Sequence, residues 1–98
     1  MTPKQRAHLR KLSHKVKPIQ QVGKEGVTDA LVRSVEDAFR NRELLKVKLA
    51  ESAPEDVREA GQAIAEGIEG AELVFTIGRT AVLYREHPEN PEIRLPRE

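Results

Sequence analysis

The spacing of hydrophobic residues changes several times along the chain, and each change predicts a new secondary-structure element. Near the N-terminus, Leu9, Leu12 and Val16 fall within one narrow stripe when each residue advances by about 100°, which predicts an amphipathic helix. Thr2 and Pro3 have the character of a helix cap and a first-turn proline, so we expect the helix to begin there. The remaining circumference of this helix is rich in basic residues.

A short strand and a second helix are predicted from Pro18 onward, since proline disfavours helical geometry in the residue before it. Residues 19–22 favour a strand, although two glutamines weaken its pattern. Thr28 is a good capping residue for the next helix, whose apolar residues recur at the spacing of one buried face. That face carries Leu31, Val32, Val35, Ala38 and Phe39.

A second strand is predicted where the hydrophobic period changes to two, at Leu45, Val47 and Leu49. Lys46 and Lys48 alternate with these residues and therefore belong to the opposite face of the strand. The two lysines are either the solvated side of an edge or antiparallel strand or a contact surface for phosphate. The sequence favours neither interpretation over the other.

The last part of the chain predicts a helix, a hairpin and a tail. Pro54 should open an amphipathic helix with one apolar and one acidic side, and Gly70 should close it. Residues 73–77 and 81–85 predict two strands joined by a tight turn that Gly78 leads. The resulting order is α-β-α-β-α-β-β, with no internal repeat and no linker, which favours an α/β two-layer sandwich.

We assign residues 1–85 to one domain and residues 86–98 to a C-terminal tail that lies on the surface or is partly disordered. A chain of 98 residues buries only a modest core and has little room for an enclosed active site, so we expect its function on the surface. The residues expected to be mostly buried are Leu9, Leu12, Leu31, Val35, Phe39, Leu45, Val47, Ile64, Val74 and Leu83.

Composition excludes several classes of function. The absence of cysteine removes disulfides, zinc–thiolate sites and cysteine nucleophiles. No apolar run approaches the roughly 20 residues needed to span a bilayer, so we expect a soluble cytoplasmic protein with no membrane partner. His8 and His14 have no companions at metal-ligand spacing, and no catalytic triad is recognisable, so neither a metal site nor an enzyme is predicted.

Charge is sorted along the chain, although the net charge is only +1. Between Met1 and Lys24 there is no acidic residue at all, whereas between Glu51 and Glu72 Arg58 is the only basic one. A whole acid-free helix is more than solubility requires, so we favour phosphate binding over a merely solvated basic face. The acidic helix is expected to face solvent or a protein.

Several ordered segments resemble the CRM domain (chloroplast RNA splicing and ribosome maturation), in particular its free-standing bacterial form, the YhbY-like proteins. The matching segments are Gln5, Leu9 to Leu12, Lys17-Pro18-Ile19, Gly23-Lys24-x-Gly26, Glu43 to Lys48, Ile77-Gly78-Arg79-Thr80 and Val82 to Arg85. The resemblance implies a four-stranded mixed sheet packed with helices, similar to the C-terminal domain of translation initiation factor three. It also implies association with precursors of the large ribosomal subunit, without cofactor or catalysis.

The glycine-flanked loop Gly23-Lys24-Glu25-Gly26 is a candidate for RNA contact. Glycine allows a positive φ and lets a phosphate approach backbone N–H groups, as in the GxxG loop of KH domains. The alternative is an ordinary strand-to-helix turn, and the motif alone does not decide between them. Glu25 departs from the polar or basic residue that is more usual in the family at this position.

The sequence thus predicts a protein, expected to be monomeric, that binds ribosomal RNA during ribosome assembly. The competing hypothesis is an adaptor that docks a protein partner and has no direct affinity for RNA. The few aromatic residues argue against stacking of several bases, so we expect recognition of backbone and shape. The candidate RNA-binding residues are Lys4, Arg6, Arg10, Lys11, His14, Lys15, Lys17, Gly23, Lys24, Gly26, Lys46, Lys48 and Arg79.

Overall fold

A computed structural model describes residues 1–97 and confirms the predicted class and order of elements. The helices are α1 (Pro3–Ser13), α2 (Asp29–Ala38) and α3 (Val57–Glu66), and the strands are β1 (Pro18–Val22), β2 (Leu44–Leu49), β3 (Ala71–Ile77) and β4 (Thr80–Arg85). Glu98, the last residue of the predicted tail, lies outside the described residues. Over residues 1–97, no helix has the length and apolar character to cross a membrane.

Each helix begins at a side chain that accepts backbone N–H groups left free in the first turn. The Thr2 hydroxyl accepts the N–H of Gln5 at 3.1 Å, and the Thr28 hydroxyl accepts that of Leu31 at 3.1 Å, which confirms both predicted caps. The cap of α3 is Asp56, so this helix begins after Pro54 rather than at it. An acidic side chain satisfies the free N–H groups, which proline cannot do.

The four strands form one mixed sheet in the order β1-β2-β4-β3. β1 and β2 are parallel and are connected through α2, whereas β4 is antiparallel to both of its neighbours. The carboxyl ends of β1 and β2 therefore lie at the same edge of the sheet as the turn between β3 and β4. The loop after β1 and the hairpin turn are placed close together by this topology.

The larger core lies between the sheet and the helices α2 and α3. Val35 from α2, Phe39 at the C-terminal cap of α2 and Ile64 from α3 pack against the inward side chains of the strands, such as Leu45 and Leu83. The spacing of apolar residues predicted all of these as buried, and each is at most 2% exposed. This side of the sheet corresponds to the two-layer arrangement expected from the sequence.

A second, smaller core covers the opposite face of the sheet and adds a third layer. Leu9 of α1 packs there against Leu44, Val82 and Tyr84. Leu12, which the helical stripe predicts to be buried, is 38% exposed, so that prediction was wrong. The helix docks along a narrow edge through Leu9 and the buried Ser13, and Leu12 lies to the side of this edge.

A buried glutamate before β2 holds the tail against the sheet. Glu43 is only 6% exposed, and its Oε2 accepts the N–H of His87 at 2.7 Å. Its Oε1 accepts the N–H groups of Glu92 at 2.9 Å and Ile93 at 2.7 Å. Burial alone raises the pKa of Glu43, but these bonds and the nearby His87 more than offset it, so the pKa lies below its ordinary value of 4.5. Ile93 and Leu95 then pack against the second core.

Candidate nucleic-acid interface

The loop that follows β1 is a tight turn shaped by two glycines with different surroundings. Gly26 has φ +76°, and its N–H donates to the Gly23 carbonyl at 2.9 Å. A Cβ atom on Gly26 would lie 2.7 Å from a carboxylate oxygen of Glu55, whereas one on Gly23 would meet nothing within 4 Å. Gly26 is buried and shapes the loop, while Gly23 is exposed and accessible to a ligand.

Glu55 supports this loop from the segment before α3. Its Oε2 accepts the N–H of Val27 at 3.0 Å, and its Oε1 is buried without a hydrogen-bond partner among residues 1–97. Glu55 directly follows Pro54, the residue predicted to open the third helix, so the sequence pattern assigned it to the acidic side of that helix and did not indicate its contact with the loop. No local signal could have found it, because the partner lies 28 positions away in the chain.

Two backbone N–H groups of the loop take no part in the hydrogen bonds of the fold over residues 1–97. Those of Lys24 and Glu25 have no acceptor within the part of the chain that the structure describes. The loop borders an open depression of about 330 Å³, which Gln21 and Thr28 also line. Free amides, an exposed lysine and the start of a helix around a concave surface are the groups that hold a phosphate.

The hairpin turn brings Arg79 to the same end of the sheet as the loop. The N–H of Ala50 donates to the Val22 carbonyl at 2.9 Å, and the Arg79 guanidinium donates to the Ala50 carbonyl at 3.3 Å. Lys48, two residues before Ala50, is exposed, whereas Lys46 is half-buried. The structure therefore brings together Lys24, Lys48 and Arg79 around one edge.

Two arginines of α1 are attached to the neighbouring strand β3. The guanidinium of Arg6 donates to the carbonyl of Leu73 at 3.3 Å and also to that of Val74. The guanidinium of Arg10 lies over the ring of Phe75, 5.2 Å from its centroid. These two side chains fix the helix on the sheet and keep their charge at the surface. The other predicted cations of α1 and the residues after it, all exposed, are Lys4, Lys11, His14, Lys15 and Lys17.

Lys15 and Lys17 lie at the other end of β1 from the glycine loop. Gly23 is six residue steps of extended chain beyond Lys17, which corresponds to roughly 20 Å. Around these two lysines is a groove of about 680 Å³ that Arg42 and residues of the tail also line. Arg42 was not singled out from the sequence, because its neighbours come from distant segments.

Comparison with known proteins identifies the family to which this chain belongs. Residues 1–85 match the CRS1 / YhbY (CRM) domain. The chain belongs to the CRS1/YhbY family. A Bacillus subtilis relative named "Probable RNA-binding protein YqeI" is 42% identical, with 98% of this chain and 99% of that protein aligned. A Haemophilus influenzae relative named "RNA-binding protein" is 35% identical, with 99% of this chain and 96% of that protein aligned.

A solved structure has the same fold. The solution structure of SAV1595 from Staphylococcus aureus, a hypothetical protein described as a candidate RNA-binding protein, superimposes with a TM-score of 0.81. The two chains are 40% identical, and the match covers 98% of this chain and 99% of the other. The resemblance seen in the sequence is confirmed, and the CRM family consists of RNA-binding proteins rather than enzymes.

The charges of this CRM domain are separated in space as well as along the chain. α1 covers one face of the sheet, and the acidic α3 covers the other. Across residues 1–97 a single ion pair forms, between Arg40 and Asp37 at 3.5 Å, and both side chains are largely exposed. The cations of α1 and the loop therefore form no ion pair with acids among residues 1–97, although Glu66 and Glu72 line the same depression as Arg6 and Glu25 lines that of Lys24. No cluster of potential metal ligands occurs among the described residues.

Proposed function

We propose that this CRM domain binds RNA through the face that carries α1 and through the rim formed by the glycine loop, Lys48 and Arg79. The observation that carries the proposal is the open depression lined by Lys24 and Glu25, where unbonded backbone amides adjoin a lysine that forms no ion pair among the described residues. Phosphates would be held by these amides and by the basic side chains. The acidic α3 lies on the opposite side of the sheet and would point away from the RNA.

The proposed contacts follow the set predicted from the sequence, with one change of role. Gly26 acts by shaping the loop, because its N–H is already bonded to Gly23 and its Cα side faces Glu55. Phe39 and Tyr84 are buried, and Phe75 is partly covered by Arg10, so several bases cannot stack on aromatic rings. Backbone recognition with a strong dependence on salt follows from this distribution.

We further propose that the target is ribosomal RNA within a precursor of the large ribosomal subunit, bound in the cytoplasm by a monomer. The resemblance to the free-standing YhbY-like proteins supports the target. Coverage of both sheet faces within one chain supports the monomer, since neither core needs a second copy to close it. Crosslinking in cells, followed by mapping of the joined nucleotides and peptides, tests the target, and light scattering of the purified protein tests the monomer.

Direct RNA binding is tested by titrating a large-subunit rRNA fragment with wild type, Gly23→Asp and Gly23→Asn at several salt concentrations. Gly23 is exposed and has space for a side chain, so both variants should fold. We expect Gly23→Asp to weaken binding and to lower the slope of log K against log salt by about 0.7 for each phosphate that is no longer bound. Gly23→Asn, which has the same shape without the charge, should weaken binding less than Gly23→Asp, because it narrows access to the loop without repelling phosphate.

The alternative function is an adaptor that docks on a protein of the ribosome. An adaptor would show no affinity for the rRNA fragment even at low salt, and its crosslinks in cells would join it to protein alone. Equal binding by Gly23→Asp and wild type would remove the loop from the proposed interface and leave only the helix face.

A further inference from the structure

One transverse row of the sheet lies on the α1 side beyond the area that α1 covers. This base row contains one residue from each strand: Gln21, Lys48, Thr80 and Ile77. Successive members are paired in the sheet, so their side chains lie on the same face. Thr80 is two positions from Val82, which packs under α1, so the row faces the α1 side.

Gln21, Lys48 and Ile77 of the base row are exposed and Thr80 is half-buried, so the row offers polar groups at one end and an apolar side chain at the other. Ile77 is 54% exposed, the most exposed large hydrophobic side chain in the described part of the chain. Thr80 is paired with Ile77 in the sheet, while Gln21 supplies an amide donor and acceptor and Lys48 a positive charge. Three strand spacings of about 4.8 Å give the row a length of roughly 14 Å.

The base row is continuous with the proposed phosphate site. Gln21 lines the depression beside the loop, together with Gly23 and Lys24, and is also the first member of the row. A nucleotide whose phosphate lies in the depression therefore has the row directly beside it. The cations Lys24, Lys48 and Arg79 lie around this surface, and Glu25 is the one acid among residues 1–97 that lines the depression, so the local balance of charge favours a polyanionic ligand.

We infer that the base row contacts unpaired RNA bases, so that this domain binds a single-stranded segment of RNA rather than a duplex. The inference rests on the proposed RNA binding. An exposed apolar side chain such as that of Ile77 gains contact with a base face only when that base is unstacked, which paired RNA does not allow. The amide of Gln21 can then hydrogen-bond the free edge of a base.

Three fluorescently labelled probes test the inference in binding titrations at low salt: a short single-stranded RNA of mixed sequence, an abasic strand of the same length and the fully paired duplex. We expect the single strand to bind most tightly. Ile77→Ala should weaken binding of the intact strand by about fivefold, as expected when apolar surface is removed, and should leave binding of the abasic strand unchanged. Ile77→Val, which keeps most of the apolar surface, should remain close to wild type.

Gln21→Ala has a matched control in Gln62→Ala, because Gln62 is also exposed but lies on α3, across the sheet. Only Gln21→Ala should weaken binding of the intact strand. Equal affinity for intact and abasic strands, tightest binding of the duplex, or no effect of either row variant would overturn the inference and leave backbone binding in place. Absence of binding to all three probes would instead overturn the proposed function itself.

Discussion

At the scale of single residues, the two glycines of the loop show how identical residues serve different purposes. Gly26 has a positive φ and lies against the carboxylate of Glu55, so both backbone conformation and space require glycine there. Gly23 has no positive φ and no close neighbour, so only access for a ligand favours glycine. Gly78 has a positive φ of +57°, as Gly26 does, but it has open space around it, as Gly23 does.

Alanine substitutions at these three glycines should therefore differ in their effect on stability. Gly78→Ala should cost about 1–2 kcal/mol from the left-handed backbone alone. Gly26→Ala should cost more, because the new Cβ also displaces Glu55. Gly23→Ala should be neutral or stabilise by about 0.4–1 kcal/mol through the unfolded state. Urea unfolding measures all three, and equal losses of stability at Gly23 and Gly26 would contradict the different roles assigned to them.

At the scale of elements, the tail packs against the rest of the domain because several of its backbone N–H groups donate hydrogen bonds to the carboxylate of Glu43. Glu43 accepts three N–H groups, from His87, Glu92 and Ile93, and Gln5 of α1 donates to the carbonyl of Pro96 at 2.9 Å. The tail and α1 together close the second core. A tail without regular secondary structure is thereby fixed in place.

Removal of the charge from Glu43 should loosen the tail and change the dependence of stability on pH. Because the folded-state pKa is lowered, the stabilisation is present above the unfolded pKa and is lost as pH falls through the folded pKa. Glu43→Gln keeps only one acceptor oxygen and should cost about 1.5–3 kcal/mol at neutral pH. The difference from wild type should shrink in acid.

Denaturant unfolding of wild type and Glu43→Gln at neutral and acidic pH measures this effect, with the exposed Glu69→Gln as the control. Amide hydrogen exchange adds a local readout, since the N–H of Ile93 should exchange faster in Glu43→Gln and not in Glu69→Gln. A difference from wild type that stays constant with pH would show that the Glu43 carboxylate does not stabilise the tail through its charge.

At the scale of the whole molecule, the sheet separates two surfaces of opposite character. The basic helix α1 lies on one face, and α3 exposes Glu59 and Glu66 on the other. A polyanion approaching the domain is attracted toward α1 and repelled from α3, so the field orients the molecule before contact.

Charge changes on the two faces should therefore have unequal effects on RNA binding. Lys11→Glu combined with Lys15→Glu should weaken binding to an rRNA fragment and reduce the slope of log K against log salt by about 0.7 to 0.9 for each phosphate that is no longer neutralised. Glu59→Gln combined with Glu66→Gln should have little effect, or tighten binding slightly at low salt. That tightening should fade near 0.15 M salt, where the Debye length is about 8 Å.

Titrations of both double variants at matched salt concentrations provide the comparison. Equal reductions in affinity from the two pairs would contradict a one-sided basic surface. A reduction confined to the glutamate pair would favour the protein-adaptor function. The Gln replacement at Glu59 preserves an oxygen that can accept the N–H of Asp56 in the capping box, so α3 should remain intact.

The sequence by itself determined the elements, the main core and the sorting of charge. Hydrophobic period and capping residues act over three or four positions, so Thr2, Thr28 and the buried face of α2 were predictable from neighbours in the chain. The acid-free N-terminal segment and the glycine loop were likewise visible as local patterns, and together they supported the family resemblance.

Only the tertiary structure decided which surface each element covers and which residues meet across long separations. Leu12 remained exposed because docking of α1 depends on the shape of the sheet, which its own periodicity does not encode. Glu55 reaches Val27, and Glu43 reaches Ile93, 50 positions later. The base row consists of one residue from each of four strands, and the order of these strands in the sheet is set by tertiary packing. Contacts of this kind depend on the global arrangement of the chain, which local sequence patterns constrain only weakly.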